Sequence, residues 1–290
     1  MNVKKIFQLL KGTFQEWQQD NAPRLAAALA YYTVFSISPL LVIVIAIAGR
    51  FFGEDAAKEE LVNQISAFVS EDAIQPIILA LDNITEPQIR GMASLISIGV
   101  LLIGASGIFV QLQDALNTVW SVKPKPGQGI GLFIRKRLFC FFMVLAIGVL
   151  LMLSLIISTV VSTMSNYRTD FLPGSAVLWE NLDFIVSLGL LTFLFGLMFK
   201  YVPDAKIVWK DVFVGALITA LLFIFGKFLL GLYFSTGSLG SAYGAAGSLA
   251  VFLAWVYYSA LIILIGAEFT QVYARMYGSD IRPGKRSQKV

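Results

Sequence analysis

Six long apolar stretches, separated by loops of alternating charge, constrain this chain to a helical membrane protein. A helix needs about 20 mostly apolar residues to cross about 30 Å of hydrocarbon. The stretches that approach or exceed this length cover residues 25–52, 92–113, 138–161, 183–199, 212–233 and 246–271. Of the 290 residues 57% are hydrophobic and 14% are charged, a balance unlike that of soluble domains. Because lipid offers the backbone no hydrogen-bond partners, we predict an all-α polytopic fold with six transmembrane helices.

Basic residues predict how these helices are oriented. Of the 22 lysines and arginines, 17 fall in the N-terminal segment, the loops after spans 2 and 4, and the C-terminal tail. The positive-inside rule places all of these segments in the cytoplasm. The first 24 residues lack the apolar core of a signal peptide, so the first span is expected to remain as an anchor. We predict a single six-helix membrane domain over residues 1–275 and a basic cytoplasmic tail over 276–290.

Two amphipathic regions flank the first span. Residues 3–17 repeat apolar side chains at helical spacing, which predicts an amphipathic helix. This helix either lies in the inner headgroup layer or packs as a lid on the bundle, and both interpretations stay open. Residues 53–91 contain eight acidic residues and two short amphipathic patterns, which predict a small helical external cap between spans 1 and 2. So short a segment buries too little core to form a domain of its own.

Span 1 and the segment before span 6 carry residues that disturb helices. Pro39 follows Ser38 in the middle of span 1 and removes a backbone donor there, and Tyr31 adds polarity nearby. These residues indicate either a broken helix that lines a cavity or an ordinary kink whose hydroxyls bond back to the helix. Residues 231–247 contain five glycines and no charge, which is compatible with a re-entrant segment or with an external turn.

Charged residues within or beside the spans are candidates for a transport path, because a charge at mid-bilayer costs at least about 3 kcal/mol. Lys227 lies in the outer third of span 5, either as a snorkelling anchor or as a site residue. Asp114 and Glu268 lie near the cytoplasmic end. They form either a polar vestibule that relays protons or ions, or structural pairs with arginines such as Arg24. The axial distance from Lys227 to Glu268 is too long for a direct pair.

Most enzyme classes lack the residues they require. The chain has no histidine and a single cysteine, Cys140, within span 3. Serine or cysteine nucleophiles activated by histidine are therefore excluded, and so is a zinc site of the usual ligands. A Walker loop and a dinucleotide-binding glycine fingerprint are also absent. We therefore predict no enzyme activity, no cofactor and no metal.

Four sequence blocks carry a resemblance to a known family. They are Arg24-Leu25-Ala26-Ala27-Ala28-Leu29-Ala30-Tyr31-Tyr32 running to Ser38-Pro39-Leu40; Gln113-Asp114-Ala115-Leu116-Asn117 with Trp120; Tyr201-Val202-Pro203-Asp204; and Tyr243-Gly244-Ala245-Ala246-Gly247-Ser248-Leu249 through Trp255-Val256-Tyr257-Tyr258 to Gly266-Ala267-Glu268-Phe269. With these blocks the chain resembles the YihY/virulence factor BrkB family of bacterial inner-membrane proteins, over nearly its whole length. The resemblance implies a six-helix fold in the inner membrane and supplies no catalytic motif. Some members were labelled ribonuclease BN, a label that the missing histidine and the mostly external acids disfavour.

The leading hypothesis is a transporter-like protein that moves a lipid, another amphiphile or a solute without ATP. The alternative is a non-transporting envelope scaffold that binds partners through its acidic cap, and a membrane ribonuclease is the least favoured. The residues expected to serve the transport path are Arg24, Tyr31, Ser38, Pro39, Asp114, Lys227 and Glu268. The expected partners are membrane lipids and a small-molecule or lipid substrate, without nucleic acid. The sequence leaves the oligomeric state open.

Overall fold

The computed structural model describes residues 3–68, 71–84, 103–125, 175–235, 246–279, 281–284 and 287–289. Most of these residues are helical. The helices are α1 (Val3–Gln19), α2 (Ala22–Phe52), α3 (Glu54–Phe68), α4 (Glu71–Ile84), α5 (Gly107–Val119), α6 (Ser175–Tyr201), α7 (Trp209–Ser235) and α8 (Gly247–Tyr277). The strands are β1 (Val122–Pro124), β2 (Ala205–Lys206), β3 (Arg282–Pro283) and β4 (Ser287–Lys289).

Four helices in the described ranges, α2, α6, α7 and α8, are long and apolar enough to cross a membrane. They coincide with the predicted spans 1, 4, 5 and 6. Predicted span 3, at 138–161, lies outside the described residues, and so do residues 92–102 of predicted span 2. The structure thus confirms a helical membrane architecture, while the total of six spans stays a prediction. Helix α6 begins earlier than the predicted start at 183, because Glu180 and Asp183 interrupt the apolar pattern without interrupting the helix.

Helices α7 and α8 approach each other through two reciprocal glycine–threonine contacts. A Cβ atom added to Gly215 of α7 would lie 1.7 Å from Thr270 Oγ1, and one added to Gly266 of α8 would lie 1.8 Å from Thr219 Oγ1. Each threonine hydroxyl donates a 2.7 Å hydrogen bond to the carbonyl oxygen of the glycine one turn earlier on its own helix. Such small residues permit close helix contact in membranes, where no hydrophobic force draws helices together.

Helix α2 continues through Pro39 to its end at Phe52, so the backbone is not broken at this proline. The interruption is instead in the facing segment, where a turn at Ser106 separates the helical residues 103–105 from α5. The buried Ser36 hydroxyl of α2 accepts a 3.2 Å hydrogen bond from the backbone N–H of Ile108. A Cβ at Gly104 would lie 2.9 Å from Pro39 Cγ. Here Ser36 and Pro39 pack against the broken helix rather than breaking their own.

Helices α3 and α4 occupy the sequence region of the predicted cap. Helix α4 packs Ile74, Ile77 and Leu81 into a core cluster shared with α2 and α8, and Phe252 of α8 belongs to the same cluster. Helix α3 packs mainly against α2. The two amphipathic helices are therefore present, and their placement as an external cap stays a prediction.

The C-terminal tail is folded onto the interhelical loops. Strand β4 pairs antiparallel with β1, and β3 pairs antiparallel with β2. The backbone carbonyl of Asp204 accepts hydrogen bonds from Ser287 Oγ at 2.6 Å and from the Gly284 N–H at 2.9 Å. No alternating pattern predicted these strands, because each has only two or three residues. The tail therefore connects the segment after α5 with the loop between α6 and α7.

Candidate functional site

Glu268 is the most unusual acidic side chain in the described part of the chain. It lies in the membrane-crossing helix α8, about 14 Å from the helix C-terminus at 1.5 Å per residue. The side chain is 0% exposed, and neither carboxylate oxygen has a hydrogen-bond partner among the described residues. An unpaired carboxylate is strongly disfavoured in such surroundings, so a proton or a cation would stabilise it. Intramembrane acids of this kind mark functional sites by default.

Helix α1 brings two more carboxyl groups to the same place. Asp20, in the turn after α1, faces Glu268 within interaction range, although Glu268 does not meet full hydrogen-bond geometry. Glu16, one turn earlier, forms a 2.7 Å ion pair with Arg275 of α8. Burial raises the pKa of Asp20, the Glu16 charge raises it further, and the contacts with Glu268 and Arg275 oppose these effects. We call Glu16, Asp20 and Glu268 the acid cluster.

Further polar atoms are buried without hydrogen-bond partners at this end of the bundle. They are the indole nitrogens of Trp17 and Trp120 and the Oε1 atom of Gln271, one turn beyond Glu268. Trp17 and Trp120 belong to the core that packs α2, α5 and α8 together. Nearly all buried polar atoms in proteins are hydrogen-bonded to protein or to water. Ordered water or a polar ligand would satisfy these atoms.

A cleft of about 350 Å³ adjoins the acid cluster. Its lining comprises Asp20, Asp114, Asn117, Thr118 and Ser121 together with the residues of β1. Asp20 belongs to both the cleft and the acid cluster, so it joins the buried Glu268 to this more open space. Among the described residues, no group of three or more acidic or cysteine side chains is arranged to hold a metal ion.

A hydrogen-bonded clamp fixes one wall of the cleft. The amide of Asn117 donates to Asp204 Oδ2 at 3.1 Å, and its oxygen accepts from the Asp204 backbone N–H at 2.8 Å. Gln113 Nε2 donates to the Val202 carbonyl at 2.9 Å and to Asp204 Oδ1 at 3.3 Å. Two of the sequence blocks, around residues 113–117 and 201–204, thus contact each other directly, and Gln113 and Asn117 position the wall.

The structure connects two of the predicted site residues, Asp114 and Glu268, through the Asp20-lined cleft. Arg24 is exposed in the first turn of α2, and Tyr31 and Ser38 lie on the exposed side of that helix. Pro39 is half-buried against Gly104, as described above.

Lys227 lies at a different height along the bundle from Glu268. The adjacent Gly226 packs against Tyr258 and Ile262 of α8, and Ile262 is about 9 Å along the helix from Glu268. The structure therefore agrees with the sequence in separating Lys227 from Glu268. Lys227 itself is exposed on α7.

Sequence reasoning missed Asp20 and Glu16 as partners of Glu268. The signal was a second helical face on α1, on which Leu9, Thr13, Glu16 and Asp20 recur at intervals of three or four residues. The stronger apolar periodicity of Ile6, Phe7, Leu10 and Phe14 concealed it. The glycine-rich residues 236–245 lie outside the described residues, so the re-entrant interpretation is untested.

Comparison with known proteins places the chain among bacterial membrane proteins. The family model described as virulence factor BrkB matches residues 13–290. UPF0761 membrane proteins of Psychromonas ingrahamii and Mannheimia succiniciproducens are 29% and 30% identical, over 92% and 90% of this chain and 88% and 87% of the relatives. A UPF0761 membrane protein of Pseudomonas paraeruginosa is 27% identical over 86% of this chain, which spans 58% of that relative's length. No solved structure matches. These matches confirm the family resemblance that the sequence blocks indicated.

Proposed function

The chain belongs to the virulence factor BrkB family of membrane proteins, and from this premise we propose that it is a proton-coupled transporter of the bacterial inner membrane. The observation that carries the proposal is the carboxyl group of Glu268. It is fully buried in the membrane-crossing helix α8 and faces Asp20. Neighbouring carboxyl groups bind protons more tightly than isolated ones, because two negative charges repel each other at short range. In the proposed mechanism a proton enters from the cleft, passes to Asp20 and is held by Glu268.

The proposed substrate is a lipid or another amphiphile, or a solute that follows the same path. Exposed aromatic side chains on α2 support an amphiphile, because Tyr31 and Phe35 are 60% and 63% exposed on a helix that crosses the membrane. The sequence offers no ATP-binding motif, so the proton gradient would supply the energy. The proposed function does not include an enzymatic activity.

The proposal includes six spans with both chain ends in the cytoplasm. The charge of the loops supports this topology, since basic residues predominate on the segments assigned to the inside. Fusions of alkaline phosphatase and of green fluorescent protein to each chain end test it. Fluorescence without phosphatase activity at both ends is expected, and phosphatase activity at either end would contradict the topology.

Reconstitution of the purified chain in vesicles tests the transport role. A pH-sensitive dye inside the vesicles would report proton flux, and dithionite reduction of fluorescent phospholipids would report lipid movement between leaflets. We expect Glu268→Gln to lower coupled flux at least tenfold, because the amide cannot exchange a proton. Glu59→Gln, an exposed acid of α3, is the matched control and should retain flux. Equal flux in wild type and Glu268→Gln, with both proteins eluting as folded species, would refute the assignment.

The acidic surface of α3 favours a second candidate function, an envelope scaffold without transport. Glu54, Asp55 and Glu59 are exposed on this helix. A scaffold predicts that replacing these three acids with lysine removes function in the cell while Glu268→Gln leaves function intact. The transporter predicts the opposite pattern, so a complementation assay with both variants separates the two.

A further inference from the structure

Helix α1 packs on the bundle through one side and leaves its main apolar side uncovered. Leu9 is 2% exposed and contacts Phe269 and Val272 of α8. A Cβ at Gly12 would lie 3.1 Å from Val272 Cγ1, which shows how closely this side approaches α8. The other side is uncovered: Ile6, Phe7, Leu10 and Phe14 are 39%, 67%, 57% and 57% exposed. Packing against α8 therefore accounts for Leu9 and leaves four large apolar side chains without a described contact on the bundle.

The order of side chains around α1 suits a membrane surface. At about 100° per residue the four exposed apolar side chains fall within an arc of roughly 100°. Lys4 and Lys11 lie at one edge of this arc, and the docking side with Leu9 lies at the other edge. Glutamines such as Gln8 and Gln15 occupy the side opposite the apolar arc. This succession of bundle, apolar, basic and neutral polar sides is typical of a helix that lies in the plane of a lipid interface.

The attachment of α1 places it beside the membrane. A two-residue turn joins it to the membrane-crossing α2, with Asn21 in a left-handed conformation at φ 52°. The Asn21 carbonyl accepts a 2.9 Å hydrogen bond from the Arg24 N–H, which starts α2 at once. The ion pair between Glu16 and Arg275 also ties the C-terminal part of α1 to α8. These attachments hold the exposed apolar side of α1 beside the N-terminal end of α2 and the C-terminal end of α8.

We propose that α1 is an interfacial helix that binds anionic phospholipid. Its exposed apolar side inserts among the upper acyl chains, and Lys4 and Lys11 bind the headgroup phosphates. Charge complementarity supports this occupant, because juxtamembrane lysines are attracted to anionic leaflets. The inference rests on α1 alone and is independent of the proposed transport role.

Site-directed fluorescence in lipid bilayers tests the insertion. The full chain with Cys140→Ser and a single new cysteine, Phe7→Cys or Gln15→Cys, is labelled with an environment-sensitive dye and reconstituted in vesicles of phosphatidylcholine and phosphatidylglycerol. The probe at Phe7 should be quenched several-fold more strongly by brominated lipid than the probe at Gln15, and iodide should quench Gln15 preferentially. Equal access of iodide to both positions would overturn the proposal. So would shielding of Phe7 from both lipid and iodide, as contact with a second copy of the chain would produce.

The headgroup preference is tested with the same probe at Phe7. Bromine is placed either on phosphatidylglycerol or on phosphatidylcholine, and the ratio of quenching gives the local enrichment of the anionic lipid. We expect enrichment of about fivefold per lysine, lost in Lys4→Gln/Lys11→Gln. Lys58→Gln, on α3, is the control and should keep the enrichment. An unchanged ratio in the double variant, with unchanged elution of the folded protein, would overturn the assignment of the lysines.

Discussion

We expect Gly215→Ala to force α7 and α8 apart and to destabilise the protein by about 2 kcal/mol. The new Cβ would lie 1.7 Å from Thr270 Oγ1 and 2.7 Å from Thr270 Cβ. Rotation of the threonine side chain moves Oγ1 but leaves its Cβ in place, so the clash persists in every rotamer. Carbon atoms pack best at about 3.5–4.0 Å, which requires the helices to separate by roughly 1 Å. Overpacking of this kind costs about 1–3 kcal/mol.

The assay is unfolding by sodium dodecyl sulfate in mixed micelles, followed by circular dichroism. Gly189→Ala is the control, because a Cβ at Gly189 on α6 meets nothing within 4 Å. Both substitutions gain up to about 1 kcal/mol of helix propensity, so their difference isolates the contact with α8. The double variant Gly215→Ala/Thr270→Gly removes the clashing Cβ and should show favourable coupling in a double-mutant cycle. Equal stability of Gly215→Ala and Gly189→Ala would refute the close packing of these helices.

Two further predictions concern the polar end of the bundle. Asp204→Ala should lower stability by about 2 kcal/mol, or roughly 5 °C in Tm, because Gln113 and Asn117 lose a charged acceptor. Asp55→Ala, at an exposed acid, is the control and should leave Tm unchanged. Equal effects of the two substitutions on Tm would contradict the clamp. The raised pKa of Asp20 means that the folded state holds this proton more tightly than the unfolded state, so stability should fall as pH rises from 3.8 through the raised value. Asp20→Asn should flatten that fall in a Tm–pH series, and an unaltered slope would contradict the burial of this carboxyl group.

The membrane-crossing helices were the most predictable part of this fold. Hydropathy located α2, α7 and α8 within a few residues, because lipid selects long apolar runs without regard to tertiary contacts. Hydropathy predicted too short a span for α6, because Glu180 and Asp183 lower the local hydropathy while remaining compatible with a helix. The interruption at Ser106 was not predicted, although Gly104 and Gly107 lie close to it in the sequence. For Pro39 the sequence left a broken helix and an ordinary kink open, and the continuous α2 contradicts only the broken helix.

The candidate site was predictable in some of its members and not in their arrangement. Glu268 stood out because it is an acid within an apolar span. Asp20 did not, because its position in a polar turn gives no sign that α1 folds back onto α8. The clamp of Gln113 and Asn117 on Asp204 joins residues about ninety positions apart, and local periodicity carries no information on such contacts. Tertiary packing therefore decided which polar residues meet.

The two short strand pairs formed by the C-terminal tail have a mechanical consequence. They tie the segment that follows α5 to the loop between α6 and α7, with hydrogen bonds to the Asp204 carbonyl at their junction. A rocking movement that separated these helices at this end would have to unzip both ladders first. We therefore expect this end of the bundle to move little and to act as the pivot. Larger displacements of the helices are expected at the opposite end.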